Sequence, residues 1–486
     1  MTLSFVFLAF WVAFWLLMLR RPKLYVVALF VTAPWIGLWV KLIWMLDPFK
    51  VGLLLSPILL LRVHKLRRLG AVTLPLAAFA GYAIALMAWQ FLSSEVTQFD
   101  RLHHLTLSGR LMSANGMFLL RVGLAMIVAT VVNSSKDARR CLAAYTMSVT
   151  ILAMYAIIQE LSFALFGDPI TAIKKFGLFD AASAYFPVDV FGIQLIRASA
   201  FSNEPKDLAL FVMPAIAYAY TSMKGEGSSA RRIWRRVQFC CLLCAGILTF
   251  SSSLLLVSPF VLVTLEALQP NRKLKHLLPR YIMYACVALF LLPTVSEVWK
   301  LRVTGRFTQR KDLLQEAREG PAFDFFEDQF PRVLAGYGVG TEAFYLPAYM
   351  PDEFRYTLLD YQAAAGLDSF WFALLLDLGL PGVLLFVWCC IKVLRCSAVA
   401  KRPTWDYRAI LITILITGIA LPVDLRSDVL WLFFGLALRA QHLFTRPFAG
   451  PGAPLCAARF HPESVLVRRA VLATAMIQPG PNQSLS

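Results

Sequence analysis

Charge is scarce in this chain, and negative charge scarcer still. Of 486 residues 16% are charged, with 29 acidic against 47 basic, while 59% are hydrophobic. A soluble protein carries about 25% charged residues, so a soluble enzyme of ordinary composition is excluded. Soluble stretches long enough for a separate domain are also missing, because apolar runs able to cross about 30 Å of hydrocarbon recur from end to end. Those runs are too long for the short alternating segments of a membrane β-barrel. The nine cysteines fall in expected spans or on the basic side of the membrane, so no disulfide framework is expected outside. Internal repeats are absent too, which counts against a transporter built from duplicated halves. The N-terminus, MTLSFVFLAFWVAFWLLMLRRPK, lacks a basic leader and a small-residue cleavage site, and reads as a first span.

What is present is an all-α, polytopic pattern of about 12–13 spans. Spans are expected near Leu3–Leu19, Leu24–Trp44, Val51–Leu61, Ala71–Leu92, Asn115–Val132, Cys141–Leu165 and Pro205–Tyr220. Six more are expected near Val237–Phe250, Leu254–Leu268, Tyr281–Val295, Ser369–Leu394, Ala409–Leu421 and Val429–Leu443. The net charge of +18 is spread over short basic clusters in every second connection, such as Arg62/Lys65/Arg67/Arg68 and Arg231/Arg232/Arg235/Arg236. That is the positive-inside pattern rather than a nucleic-acid footprint; it puts those loops and the C-terminus in the cytoplasm and the N-terminus outside. Residues 1–443 then form the membrane domain. The tail 444–486, rich in Pro, Gly and Ala, is expected to be cytoplasmic and poorly ordered. Two outer loops are large, near 166–204 and 296–368. Their length marks them as functional or disordered, and the aromatic content of the second argues for order.

The first large loop ends in RASAFSNEPKDLALFVMP, residues 197–214. Pro205 suits a first helical turn and Asp207 suits the positive end of the helix dipole, so this stretch can be a plain helix start. Arg197 and Glu204 are not needed for that. An outward-facing helix N-terminus preceded by an arginine is an anion site. Further on come GILTFSSSLLLVSPF, with a polar hinge at Ser251–Ser253, then KLRVTGRFTQRKDLLQEAREG with Arg302, Arg306 and Arg310. FPRVLAGYGVGTEAF and LDSFWFALLLDLGLPGVLLFV follow. The loop arginines also suit an amphipathic helix lying at the lipid interface. Arg121, inside an expected span where a charge costs about 2.5–3.5 kcal/mol, should face the bundle or a cavity. His103 and His104 are adjacent and diverge on a helix, so no metal site is expected.

In this order the features resemble the O-antigen ligase and O-antigen polymerase (Wzy-type) family of bacterial membrane glycosyltransferases, over roughly residues 110–440. Arg197 and Pro205 match that family's first motif and Ser251 its Thr-x-Ser turn. Arg302 or Arg306 matches the loop arginine, Gly336, Gly338 and Gly340 the glycine stretch, and Asp377, Gly379 and Gly382 the closing span. The resemblance implies an undecaprenyl-pyrophosphate-linked glycan as donor, at the outer face of the bacterial inner membrane, with no cofactor. It implies a chain-length regulator and export machinery as partners. Arginine pairs with two phosphate oxygens at once, so Arg197, Arg302, Arg306, Arg310 and Arg121 are the pyrophosphate candidates. Glu204, Asp368 and Asp207, in that order, are candidates for the base that takes the acceptor's proton. The family's ligases carry a His near the end of the large loop. Here that loop has none and Asp368 stands nearby, which favours a polymerase making a surface polysaccharide or exopolysaccharide. A ligase and a lipid-linked sugar flippase are the alternatives.

Overall fold

The structure is a computed structural model. It describes residues 2–36, 40–41, 45–62, 73–93, 107–167, 187–190, 193–198, 200, 205–223, 229–249, 251–267, 320–341, 349, 370–396, 405–418 and 427–444. These are almost entirely helical. In chain order the helices are α1 Thr2–Leu19, α2 Pro22–Thr32, α3 Pro48–Leu55, α4 Pro57–Arg62, α5 Thr73–Ser93, α6 Leu107–Val131 and α7 Ser135–Phe166. Then follow α8 Pro205–Met223, α9 Ser229–Leu248, α10 Ser252–Ala267, α11 Gly320–Asp328, α12 Phe330–Val333, α13 Phe370–Cys396, α14 Trp405–Thr417 and α15 Asp428–Phe444. Two small antiparallel ladders accompany them: β1 Val40–Lys41 with β2 Met45–Leu46, and β3 Pro187–Val190 with β4 Ile193–Ile196.

Four of the described helices contain stretches long and apolar enough to cross a membrane: Leu74–Ser93, Met112–Val131, Ser135–Phe166 and Phe370–Leu394. This is the composition of a helical membrane protein, with exposed side chains such as Leu92, Leu161, Leu165 and Leu384 turned outward. Two expected spans differ. The run expected to cross near Leu24–Trp44 is helical only to Thr32, and its later part pairs as β1 and β2. Pro34 has no N–H to continue the helix, and the 11 residues of α2 rise only about 16 Å. The run near Val51–Leu61 is two short helices, interrupted at Ser56–Pro57. The span expected near Tyr281–Val295 and the tail 444–486 lie outside the described residues, apart from Phe444 at the end of α15.

Specific polar contacts hold the short helices in place. The indole of Trp15 donates to Pro48 O at 2.7 Å and Tyr25 OH donates to Gly52 O. Asp47 caps α3 by accepting from Lys50 N–H at 2.7 Å, supplying one partner that a helix N-terminus lacks. Deeper in, Phe79, Phe118, Phe386 and Trp431 pack ring against ring where α5, α6, α13 and α15 meet.

Helices α6 and α15 run parallel. Arg121 pairs with Asp428 at 2.5 Å, and Arg439 Nε donates to Val132 O at 2.8 Å, each pair 307 residues apart. Gly435 lets the backbones close in between, since a Cβ there would sit 2.6 Å from Ala125 O.

Candidate functional site

The hairpin β3–β4 leads into a short connector, residues 196–200, held from two sides. From α7, Glu160 Oε1 accepts the Ile196 N–H and Gln159 Oε1 accepts the Ala200 N–H, both at 3.0 Å. From the end of α9, Leu248 O accepts the Ala198 N–H at 2.9 Å and Thr249 O accepts from Arg197 Nε at 3.3 Å. The last carbonyls of a helix have no partner within it. The connector supplies donors to α9 there, and the negative end of that helix dipole suits the half-buried Arg197 guanidinium. Thr249 then shapes the hinge into α10: its hydroxyl donates to Gly246 O at 2.7 Å and accepts the Ser251 N–H at 3.3 Å. Arg197 and the Thr249–Ser251 turn are 52 residues apart at their closest contact. The sequence marked them separately; the structure puts them in one place.

Glu160 is the residue that sequence reasoning missed. It is 5% exposed, one helical position from the similarly buried Gln159, and its Oε2 is enclosed with no hydrogen-bond partner among the described residues. A signal existed in the adjacent polar pair inside MYAIIQELSFALF. Which way that pair faced was not readable without the neighbours of α7.

A second meeting joins the glycine stretch to α13. Pro381 has no N–H, so Asp377 O loses its usual partner four residues on. At Gly379 the helix also breaks, with φ 64° and ψ −173°, a conformation for glycine alone. The freed groups are taken up by the stretch after α12. Tyr337 N–H donates to Leu376 O at 2.9 Å, Gly338 N–H to Asp377 O at 2.7 Å, and Leu380 N–H to Leu334 O at 2.9 Å. Asp377, 4% exposed, accepts the Gly340 N–H through Oδ1 at 3.0 Å. Tyr82 of α5 donates to Ala335 O at 2.9 Å. Broken helices are tolerated at membrane depth where protein satisfies the backbone in this way. Phe325, Val333, Tyr337 and Leu376 form a small core around this junction.

The other expected site residues fare differently. Asp207 is half-buried in the first turn of α8, where the dipole favours a carboxylate. Arg121 does face the bundle, and its charge is matched by Asp428 with both side chains nearly enclosed. A pair so neutralised offers no net positive charge to a pyrophosphate. Glu204, Asp368, Arg302, Arg306 and Arg310 lie outside the described residues. Among the described residues no group of three His, Cys, Asp or Glu side chains is arranged to hold a metal ion. No protein-family model matches the chain, and no curated protein matches it either.

Proposed function

We propose that this is a multi-pass glycosyltransferase of the bacterial inner membrane, joining undecaprenyl-pyrophosphate-linked oligosaccharide repeats into a polysaccharide at the outer face. The observation that supports the reading is the contact between Arg197 and the turn at Thr249 and Ser251, which brings together two features of the resemblance 52 residues apart. The broken α13 with the glycine stretch docked on it supports the same reading in a second place.

In this reaction the anomeric carbon of the donor leaves undecaprenyl pyrophosphate, and the new charge on that group must be stabilised as the bond breaks. Arg197, in a connector just before the start of α8, is the first candidate, and Arg302 or Arg306 of the second loop, with Arg310 after them, is the candidate for a second cationic contact. No nucleotide, metal or cofactor is required, because the pyrophosphate is already a good leaving group. The acceptor hydroxyl must give up its proton to a carboxylate, for which sequence order favours Glu204, then Asp368 and Asp207. A chain-length regulator and export machinery are the protein partners this activity calls for.

The test uses purified protein in liposomes with lipid-linked repeat units, read as a ladder of glycan lengths. Arg197→Ala abolishes the ladder while the protein stays folded and membrane-bound. Arg197→Lys restores short products only, since an ammonium lacks the two-pronged geometry. A normal ladder from the alanine variant would overturn the reading.

A further inference from the structure

We infer that Glu160, rather than one of the loop carboxylates, accepts the proton from the incoming sugar hydroxyl; this rests on the glycosyl-transfer reading above. Two neighbouring residues on α7 do the same mechanical job in different chemistry. Gln159 holds the Ala200 N–H and Glu160 holds the Ile196 N–H, each with one oxygen at 3.0 Å. An amide is adequate for that job, as Gln159 demonstrates. A carboxyl at 160 adds a second acceptor and a titratable proton, and the second oxygen, Oε2, is buried with no partner among the described residues. Buried polar atoms without partners are rare and costly in folded proteins. A group that is idle at rest and used during turnover accounts for this one.

Its position fits the task. Oε1 touches the backbone of the residue before Arg197, so a pyrophosphate on the guanidinium and an acceptor hydroxyl on Oε2 would lie on the same short connector. In the step itself the acceptor O–H bond breaks and its proton moves to Oε2. The acceptor oxygen forms a bond to the donor's anomeric carbon, and the bond from that carbon to the pyrophosphate oxygen breaks. The electron pair leaves with undecaprenyl pyrophosphate, held by Arg197. The proton returns to solvent before the next cycle.

The experiment compares Glu160→Gln, Glu160→Asp and Glu204→Gln in the liposome assay, with thermal unfolding of each purified protein. Glu160→Gln keeps an oxygen for Ile196, so its unfolding midpoint stays at the wild-type value while its rate falls about 10²–10⁴-fold, the usual cost of losing a general base. Glu160→Asp retains partial activity. A Glu160→Gln enzyme within threefold of wild type overturns the inference and leaves Glu160 as a brace. An inactive Glu204→Gln beside an active Glu160→Gln moves the base to the loop. Should Glu160→Gln not fold, Glu160→Asp decides: a folded aspartate variant with a reduced rate is expected, and one at the full wild-type rate overturns the assignment. Absence of any polymer from the wild type would instead sink the parent reading, a result distinguishable from all of these.

Discussion

The two junctions solve the problem of irregular backbone in opposite ways. Around Gly379 the partners are mostly backbone to backbone. A loop with three glycines at positive φ supplies N–H groups to carbonyls that a proline and a break have released. Around Arg197 two of the partners are side chains from α7, Glu160 and Gln159, beside two backbone carbonyls at the end of α9. The first junction fixes shape, and none of its described side-chain polar atoms is buried without a partner. The second holds an arginine and a carboxylate with an unused oxygen. An ionisable side chain serves each junction, but Asp377 in the first is used as a backbone acceptor.

Breaking the rigid side should have the largest effect on folding. A Cβ at Gly379 would lie 2.4 Å from Leu334 O, in a backbone region closed to other residues. Gly379→Ala is therefore expected to cost about 3 kcal/mol or more and to appear as aggregated or degraded protein on size-exclusion chromatography. A monodisperse, fully active variant would show that the glycine junction is dispensable and that the contrast is drawn in the wrong place.

Gln159→Ala sharpens the other side. It strips the acceptor from the half-buried Ala200 N–H, a loss of about 1 kcal/mol, and should lower the unfolding midpoint by a few degrees. Activity should fall less than tenfold, because the brace at Ile196 and the carboxyl remain. A loss as deep as that of Glu160→Gln, with the midpoint unchanged, would make the two residues equivalent and remove the distinction between brace and base.

The smallest effect is expected at the rim of the glycine junction. Asp328 accepts from Tyr349 OH and Gln329 Nε2, contacts that hold its carboxyl below the usual carboxylate value. Burial, with the neighbouring Asp328, pushes the Tyr349 phenol up. A group with a depressed folded pKa contributes above its unfolded value, about 3.9 for Asp, and loses that contribution as pH falls through the folded value. Asp328→Asn should therefore leave stability at pH 7 nearly unchanged, because the side chain is exposed, and flatten its fall below pH 4. A large drop at pH 7 would mean that this rim, and not Gly379, anchors the loop.

Much of the architecture was legible in the sequence. Low charge and long apolar runs specify a helical membrane bundle, because an unpaired backbone cannot be left in hydrocarbon. Pro205 marked the start of α8, where the helix does begin; the glycine stretch was marked only by the resemblance, and the structure shows its three glycines at positive φ. Local chemistry also marks two breaks inside apolar runs: Pro34 follows the end of α2, and Pro57 divides the next run. Only the tertiary structure decided which distant groups meet. Asp428 neutralises Arg121 across 307 residues, Thr249 receives Arg197, and the glycine stretch repairs a helix that its own proline and Gly379 had broken. Hydropathy reports how a residue partitions between water and lipid, one residue at a time. It carries no record of which helix packs beside which, and the burial of Glu160 between α7 and its connector is a property of that packing alone.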